Sequence, residues 1–202
     1  TVLRLRNWQA RGGVGIEVGG GSRGNLISGN TLNSNIGGGM VASDTASGNL
    51  FRNNIARSNT WAGIAIAGAD TNAFIENEIS GSDTGVWIFG NSRNNLISKN
   101  NITSNAINHL YSTSSRDSGQ SQTVTRNWWG TTDEVTILSK FSDTSSTFRP
   151  YRLAAVDTSV GADTTAPGLP ASVSVTASGS YISVSWTIPT INEETNGGSV
   201  GY

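Results

Sequence analysis

The chain has 202 residues, with 13 Lys and Arg against 14 Asp and Glu and a formal net charge of −1. So even a balance excludes a nucleic-acid surface, which needs clustered cations to neutralise phosphate, and no apolar run approaches the ~18 residues of a membrane-spanning helix. The lack of cysteine excludes disulfides and thiolate metal sites, while abundant Gly, Ser, Thr and Asn favour turns and strands over helices.

Thr1-Val2-Leu3 reads as a strand and not as a signal peptide, which suggests a processed or trimmed N-terminus. From there an internal repeat organises most of the chain. One marker is an Asn with an apolar residue three before it and another two after: Ile27, Asn30, Leu32; Leu50, Asn53, Ile55; Phe74, Asn77, Ile79; Ile97, Asn100, Ile102; and Val124, Asn127, Trp129. These Asn positions are spaced by 23, 24, 23 and 27, and a step of 23 back from Asn30 lands on Asn7, where a partial first rung is expected. The second marker is a Gly followed by alternating inward residues: Gly15, Ile16, Val18; Gly39, Met40, Ala42; Gly63, Ile64, Ile66; and Gly85, Val86, Ile88.

Two independent markers with one period predict a backbone that coils once per repeat, with three short strands per coil. A leucine-rich repeat would need a Leu-rich consensus, a propeller blade is about twice as long, and an immunoglobulin-like sandwich lacks an in-register Asn. The expectation is an all-β fold, a right-handed parallel β-helix of about six rungs. Like positions stack along the axis at about 4.8 Å, so Ile16/Met40/Ile64/Val86 form one inward ladder and Leu32/Ile55/Ile79/Ile102 another. Asn30, Asn53, Asn77 and Asn100 are read as bend residues that tolerate left-handed backbone and bond to one another through stacked amides.

A stack of rungs ends in an open edge that needs covering. Residues 127–151 are suited to cover it. Asn127-Trp128-Trp129-Gly130 closes the last rung, Thr132-Asp133-Glu134 offers an N-cap with acidic residues behind it, and Val135, Ile137, Leu138 and Phe141 give a short helix one apolar side. Asn-Trp-Trp-Gly-Thr-Thr-Asp, the short helix and Pro150 beside Tyr151 together resemble the terminus of right-handed parallel β-helix repeat proteins. That superfamily includes the NosD-like accessory proteins of periplasmic copper enzymes and many surface proteins. The resemblance covers residues 1–152 and implies the fold; it leaves function open among carbohydrate-binding proteins, lyases, hydrolases, epimerases and scaffolds.

Residues 153–170 read as a linker. In residues 171–202, Ala171-Ser-Val-Ser-Val-Thr and Tyr181-Ile-Ser-Val-Ser-Trp186 alternate with period two. This stretch resembles the opening of a fibronectin type III domain, a partial β-sandwich in which Trp186 matches the buried strand-B Trp and Tyr202 the Tyr entering strand C. A sandwich needs its later strands, so the protein is expected to continue past Tyr202 or to borrow strands from a partner.

No catalytic constellation stands out. Glu76 and Glu78 flank one bend, but Arg52 and Lys99 on adjacent rungs bracket Glu76, a pattern of surface ion pairs. Asp44, Asp70 and Asn91 share a turn region and offer oxygens for Ca2+, with solvated turn residues as the plainer reading. His109 has no partner His or Cys, so no metal site is expected. On the outer face of the Gly-marked sheet, Glu17, Val41, Ala65 and Trp87 point out, as do Gly19, Ser43, Ala67 and Phe89. Trp87 and Phe89, with Trp61 from the rung below, form an exposed shelf for a sugar ring or a protein partner, unless another part of the chain covers it. The register of the next rung is ambiguous between Leu110 and Tyr111 inside.

These readings point to a secreted or cell-surface structural and binding module without enzyme activity or cofactor. Its partner is a polysaccharide or a surface protein. A polysaccharide-active lyase, hydrolase or epimerase is the first alternative, and a self-assembling filament or sheath subunit the second.

Overall fold

The structure, a computed structural model, describes residues 13–112, 122–142, 148–157, 171–178 and 181–187. The first unit is built from short strands in repeating order: β1 (Ile16–Val18), β2 (Leu26–Ser28), β3 (Gly38–Ser43), β4 (Leu50–Arg52), β5 (Ile55–Arg57), β6 (Ala62–Ala67), β7 (Ala73–Ile75), β8 (Glu78–Ser80), β9 (Thr84–Phe89), β10 (Leu96–Ser98), β11 (Asn101–Thr103) and β12 (Asn108–Ser112). They assemble into three parallel sheets, ordered β1-β3-β6-β9-β12, β2-β4-β7-β10 and β5-β8-β11, so each strand pairs with its equivalent one coil away. The described residues hold about four turns, against the six rungs expected; the partial rung expected around Asn7 lies outside them.

Parallel in-register pairing stacks like on like. Ile16, Met40, Ile64, Val86 and Leu110 align across the first sheet as expected, with Leu110 inside. The second column is Ile27, Phe51, Phe74 and Ile97, in which the rings of Phe51 and Phe74 stack at 4.4 Å and 11°. The third is Leu32, Ala56, Ile79, Ile102 and Trp129. The expected ladder through Leu50, Asn53 and Ile55 is therefore displaced by one residue: Phe51, Asn54 and Ala56 occupy the inward positions, while Leu50 and Ile55 are half-buried outside. The adjacent pair Asn53-Asn54 permits both frames, and Ile55 looks a better core residue than Ala56. In the structure the stacked phenyl rings set the frame.

The corners explain why Asn recurs. At each, a residue of positive φ turns the chain and the next residue aims its amide inward. Gly29, Asn53, Glu76, Lys99 and Arg126 are the left-handed residues, at φ of 67°, 52°, 57°, 57° and 59°. The amides that follow, Asn30, Asn54, Asn77, Asn100 and Asn127, bond in series, each Nδ2 donating to the next Oδ1 at 2.9–3.0 Å. The Oδ1 of Asn54, Asn77, Asn100 and Asn127 also accepts a backbone N–H from the coil before, as from Asn54 N to Asn77 Oδ1 at 3.0 Å. The strain of about 1 kcal/mol at a non-Gly left-handed residue is thus offset by satisfied buried polar groups. The Asn ladder does not itself carry the left-handed geometry expected of it from sequence; the preceding residue does.

Two further ladders escape the sequence pattern described above. One joins Asn25, Asn49, Asn72, Asn95 and Gln122; the other joins Asn35, Asn59, Ser82 and Asn105. Both are visible as Asn at the same period. The Gly marker has a steric cause: a methyl on Gly39 would lie 2.7 Å from Ala56 Cβ, and one on Gly85 would lie 2.6 Å from Ile102 Cγ2.

After the last coil, Trp129 is 1% exposed and continues the third column. A helix α1 (Glu134–Ser139) follows, with Asp133 at its N-cap accepting from Val135 N and Thr136 N. Ile137, Phe141 and Phe148 join the core, and Trp129, Phe141 and Phe148 meet edge to face at 4.8 and 5.3 Å. The backbone of this segment pairs with the final strand, His109 N donating to Lys140 O at 2.9 Å.

A second unit lies within Gly161–Gly198. It contains β13 (Ala171–Ser178) and β14 (Tyr181–Thr187), an antiparallel pair as the period-two pattern predicts. Tyr202 and the Trp186 side chain lie outside what is described.

Candidate functional site

The outer face of the first sheet carries the residues singled out from sequence. Glu17, Val41, Ala65, Trp87 and Tyr111 form one outward column, and Ser43, Ala67 and Phe89 lie in the next. Trp61, just before β6, folds over this face. Its ring centroid lies 4.7 Å from that of Trp87 and 6.0 Å from that of Phe89, and Trp87 lies 5.4 Å from Phe89. The three predicted residues are therefore neighbours. Tyr111 is the member that sequence reasoning missed: its ring meets Trp87 at 5.4 Å and 86°. Its register is 24 residues from Trp87, whereas the two offsets weighed from sequence are 22 and 23.

The cluster is less open than the exposed shelf expected, and it is not flat. Its interplanar angles run from 51° to 86°, so the rings present a mixture of edges and faces. All four are half-buried, and beneath them Val41, Ala62 and Ala65 form a small second core with Val14, Trp61 and Trp87. The small residues are needed there: indoles lying against a sheet leave room beneath them only for short side chains. Rings wedged against one another on a hydrogen-bonded sheet lose little further freedom on binding a ligand.

At the other end of the same face Glu17 is 1% exposed and its Oε1 accepts from Ser43 Oγ at 2.5 Å. Where the strands of this face end, the corner turns of successive coils border an open, shallow cleft of about 530 Å3, lined by residues that include Arg23, Ser47, Asp70, Thr71 and Asn91. Asp70 Oδ1 accepts from Arg93 N at 2.7 Å, and Ser47 Oγ and Thr71 Oγ1 are 2.9 Å apart. Of the turn residues considered for Ca2+, Asp44 and Asn91 are left-handed at φ of 48° and 60°. Among the described residues no three of His, Cys, Asp and Glu are grouped to hold a metal.

The acidic pair at the opposite corner is neutralised. Glu76 bonds Arg52 at 2.7 Å and Glu78 bonds Arg57 at 2.6 Å. Lys99, expected to bracket Glu76 from the other side, makes no ion pair among the described residues. His109 is buried beside Trp129, with Asn105 Nδ2 at 3.5 Å from its Nδ1. Burial, with the Lys140 charge second, lowers its pKa from 6.5 to about 4. It is a packed residue of the final rung, remote in role from the aromatic face.

In comparisons with known proteins, residues 3–144 match the family model described as "Right handed beta helix region". No curated protein and no solved structure gives a significant match.

Proposed function

Because the chain belongs to the right-handed β-helix family, we propose that it is a secreted or cell-surface binding module that holds polysaccharide on the outer face of its first sheet. The supporting observation is the half-exposed cluster of Trp61, Trp87, Phe89 and Tyr111 on that face. Aromatic faces attract the C–H surfaces of sugar rings. An enzyme reading finds less support, because Glu76 and Glu78 are each tied to an arginine, whereas a glycosidase needs one carboxyl held protonated and the other free.

In this reading residues 127–151 form the cap of the stack. Trp129, Ile137, Phe141 and Phe148 cover the apolar end that the last coil leaves open, and α1 supplies the bulk to do so. β13 and β14 are the first strands of a fibronectin type III-like sandwich.

Binding to immobilised polysaccharides tests the proposal. Trp87→Ala is expected to weaken retention by about tenfold, the loss of a ring contact of roughly 1–2 kcal/mol. Retention unchanged in a folded Trp87→Ala variant would remove the aromatic face as the site.

A further inference from the structure

We infer that the corner cleft beside Phe89 is a hydroxyl-reading subsite for a neutral sugar, and that the glycan runs along the strand direction from the aromatic face into it. The inference rests on the reading of that face as a glycan site and adds the ligand's charge class and direction.

The chain path makes the two regions continuous. Phe89 is followed directly by Gly90 and Asn91, and Ala67 on the coil before by Gly68. Gly68 and Gly90 both line the cleft. Both have positive φ, 61° and 65°, and a methyl on Gly90 would lie 3.0 Å from Gly68 N. The floor is therefore bare backbone that side chains would obstruct. A volume of about 530 Å3 lies within the range typical of small-ligand sites.

The lining selects the chemistry. It carries one cation, Arg23, and one carboxylate, Asp70, so the cleft is neutral as a whole. Among the described residues Arg23 makes no ion pair, and Asp70 Oδ2 accepts no hydrogen bond. Asp70 Oδ1 is held by Arg93 N, which fixes the carboxylate and leaves Oδ2 presented. A divalent cation would need several more carboxylates, and an anion would meet Asp70. Adjacent sugar hydroxyls suit the set: each donates to a carboxylate oxygen and accepts from a guanidinium, and the hydroxyls of Ser47 and Thr71, whose own protons go to Thr71 Oγ1 and Asp70 O, accept.

Titration calorimetry on the whole chain decides the matter, with neutral hexasaccharides of β-1,4-glucan and β-1,4-mannan and anionic hexagalacturonate as probes. A neutral hexasaccharide is expected to bind at least tenfold more tightly than hexagalacturonate. Arg23→Ala and Asp70→Ala are each expected to weaken it about tenfold, the loss of one charge-assisted hydrogen bond. Both residues are exposed, and unchanged melting confirms that the variants fold. Asp70→Asn, which keeps an acceptor for Arg93 N, is a second variant should Asp70→Ala disturb the turn. If both cleft variants bind as the parent does while Trp87→Ala fails, the cleft is no subsite and the aromatic reading survives. If hexagalacturonate binds best, the assignment to a neutral sugar is overturned. If the parent binds none of the probes, both readings fall.

Discussion

Replacing Asn77 by Ala removes the centre of one amide ladder. Asn77 is fully buried. Its Oδ1 accepts from Asn54 N and Asn54 Nδ2, each at 3.0 Å, and its Nδ2 donates to Phe51 O and Asn100 Oδ1, also at 3.0 Å. In Asn77→Ala the buried Asn54 N–H loses its hydrogen bond outright, at about 1–3 kcal/mol, and the other partners lose one bond each, at about 1 kcal/mol net. The expected loss is about 4–6 kcal/mol, a large share of the ~5–15 kcal/mol typical of a domain. Asn30→Ala is the internal control: among the described residues Asn30 heads the ladder, it is half-exposed, and its Nδ2 donates to Ser28 O and Asn54 Oδ1. Water replaces those bonds, so the loss there should be about 1 kcal/mol or less. Guanidinium unfolding followed by far-UV circular dichroism measures both. Equal losses for the two variants would refute the claim that the amides are the corner fastening.

Three further outcomes are expected. Asn53→Gly relieves a left-handed residue and should leave the midpoint within about 1 kcal/mol of the parent, whereas Asn54→Gly should cost several; the reverse order in the same unfolding assay would restore the frame expected from sequence. Gly85→Ala places a methyl 2.6 Å from Ile102 Cγ2 and 2.7 Å from His109 O, so it should cost roughly 1–3 kcal/mol, while Gly13→Ala, with nothing within 4 Å, should melt like the parent. His109 has a pKa lowered from 6.5 to about 4 by burial and then by Lys140. Between those values the unfolded chain binds the proton and the folded chain does not, so stability should fall as pH drops from about 6.5 to about 4 and then level off with respect to this group. His109→Gln should flatten that part of a melting-temperature profile, and an unchanged slope would clear His109 of the effect.

The period, the Gly-marked sheet and two of the inward columns are legible in the sequence because parallel pairing writes one chemical requirement at every turn. Ile16, Met40, Ile64 and Val86 meet the same neighbours, so they recur as a pattern. The frame of the second coil is not legible: two Asn stand side by side, and only the packing of Phe51 on Phe74 decides between them. Two amide ladders are written in the same period yet easily passed over, because Asn25, Asn49 and Asn35 look like ordinary turn residues until their partners are seen. At the candidate site, alternation along the strand suffices to bring Trp61, Trp87 and Phe89 together. The tilt of the rings is beyond it, since that depends on how the indoles fill the space over Ala62 and Ala65.

The last step of the ladder departs from the rest. Asn77 and Asn100 are 23 residues apart and Asn100 and Asn127 are 27 apart, yet both pairs close at 3.0 Å. The fastening therefore senses where an amide stands around the coil and is indifferent to the contour length spent between fastenings. Chain added at an outer corner is invisible to the interior. A molecule built this way can acquire new loops, and with them new specificities, one corner at a time.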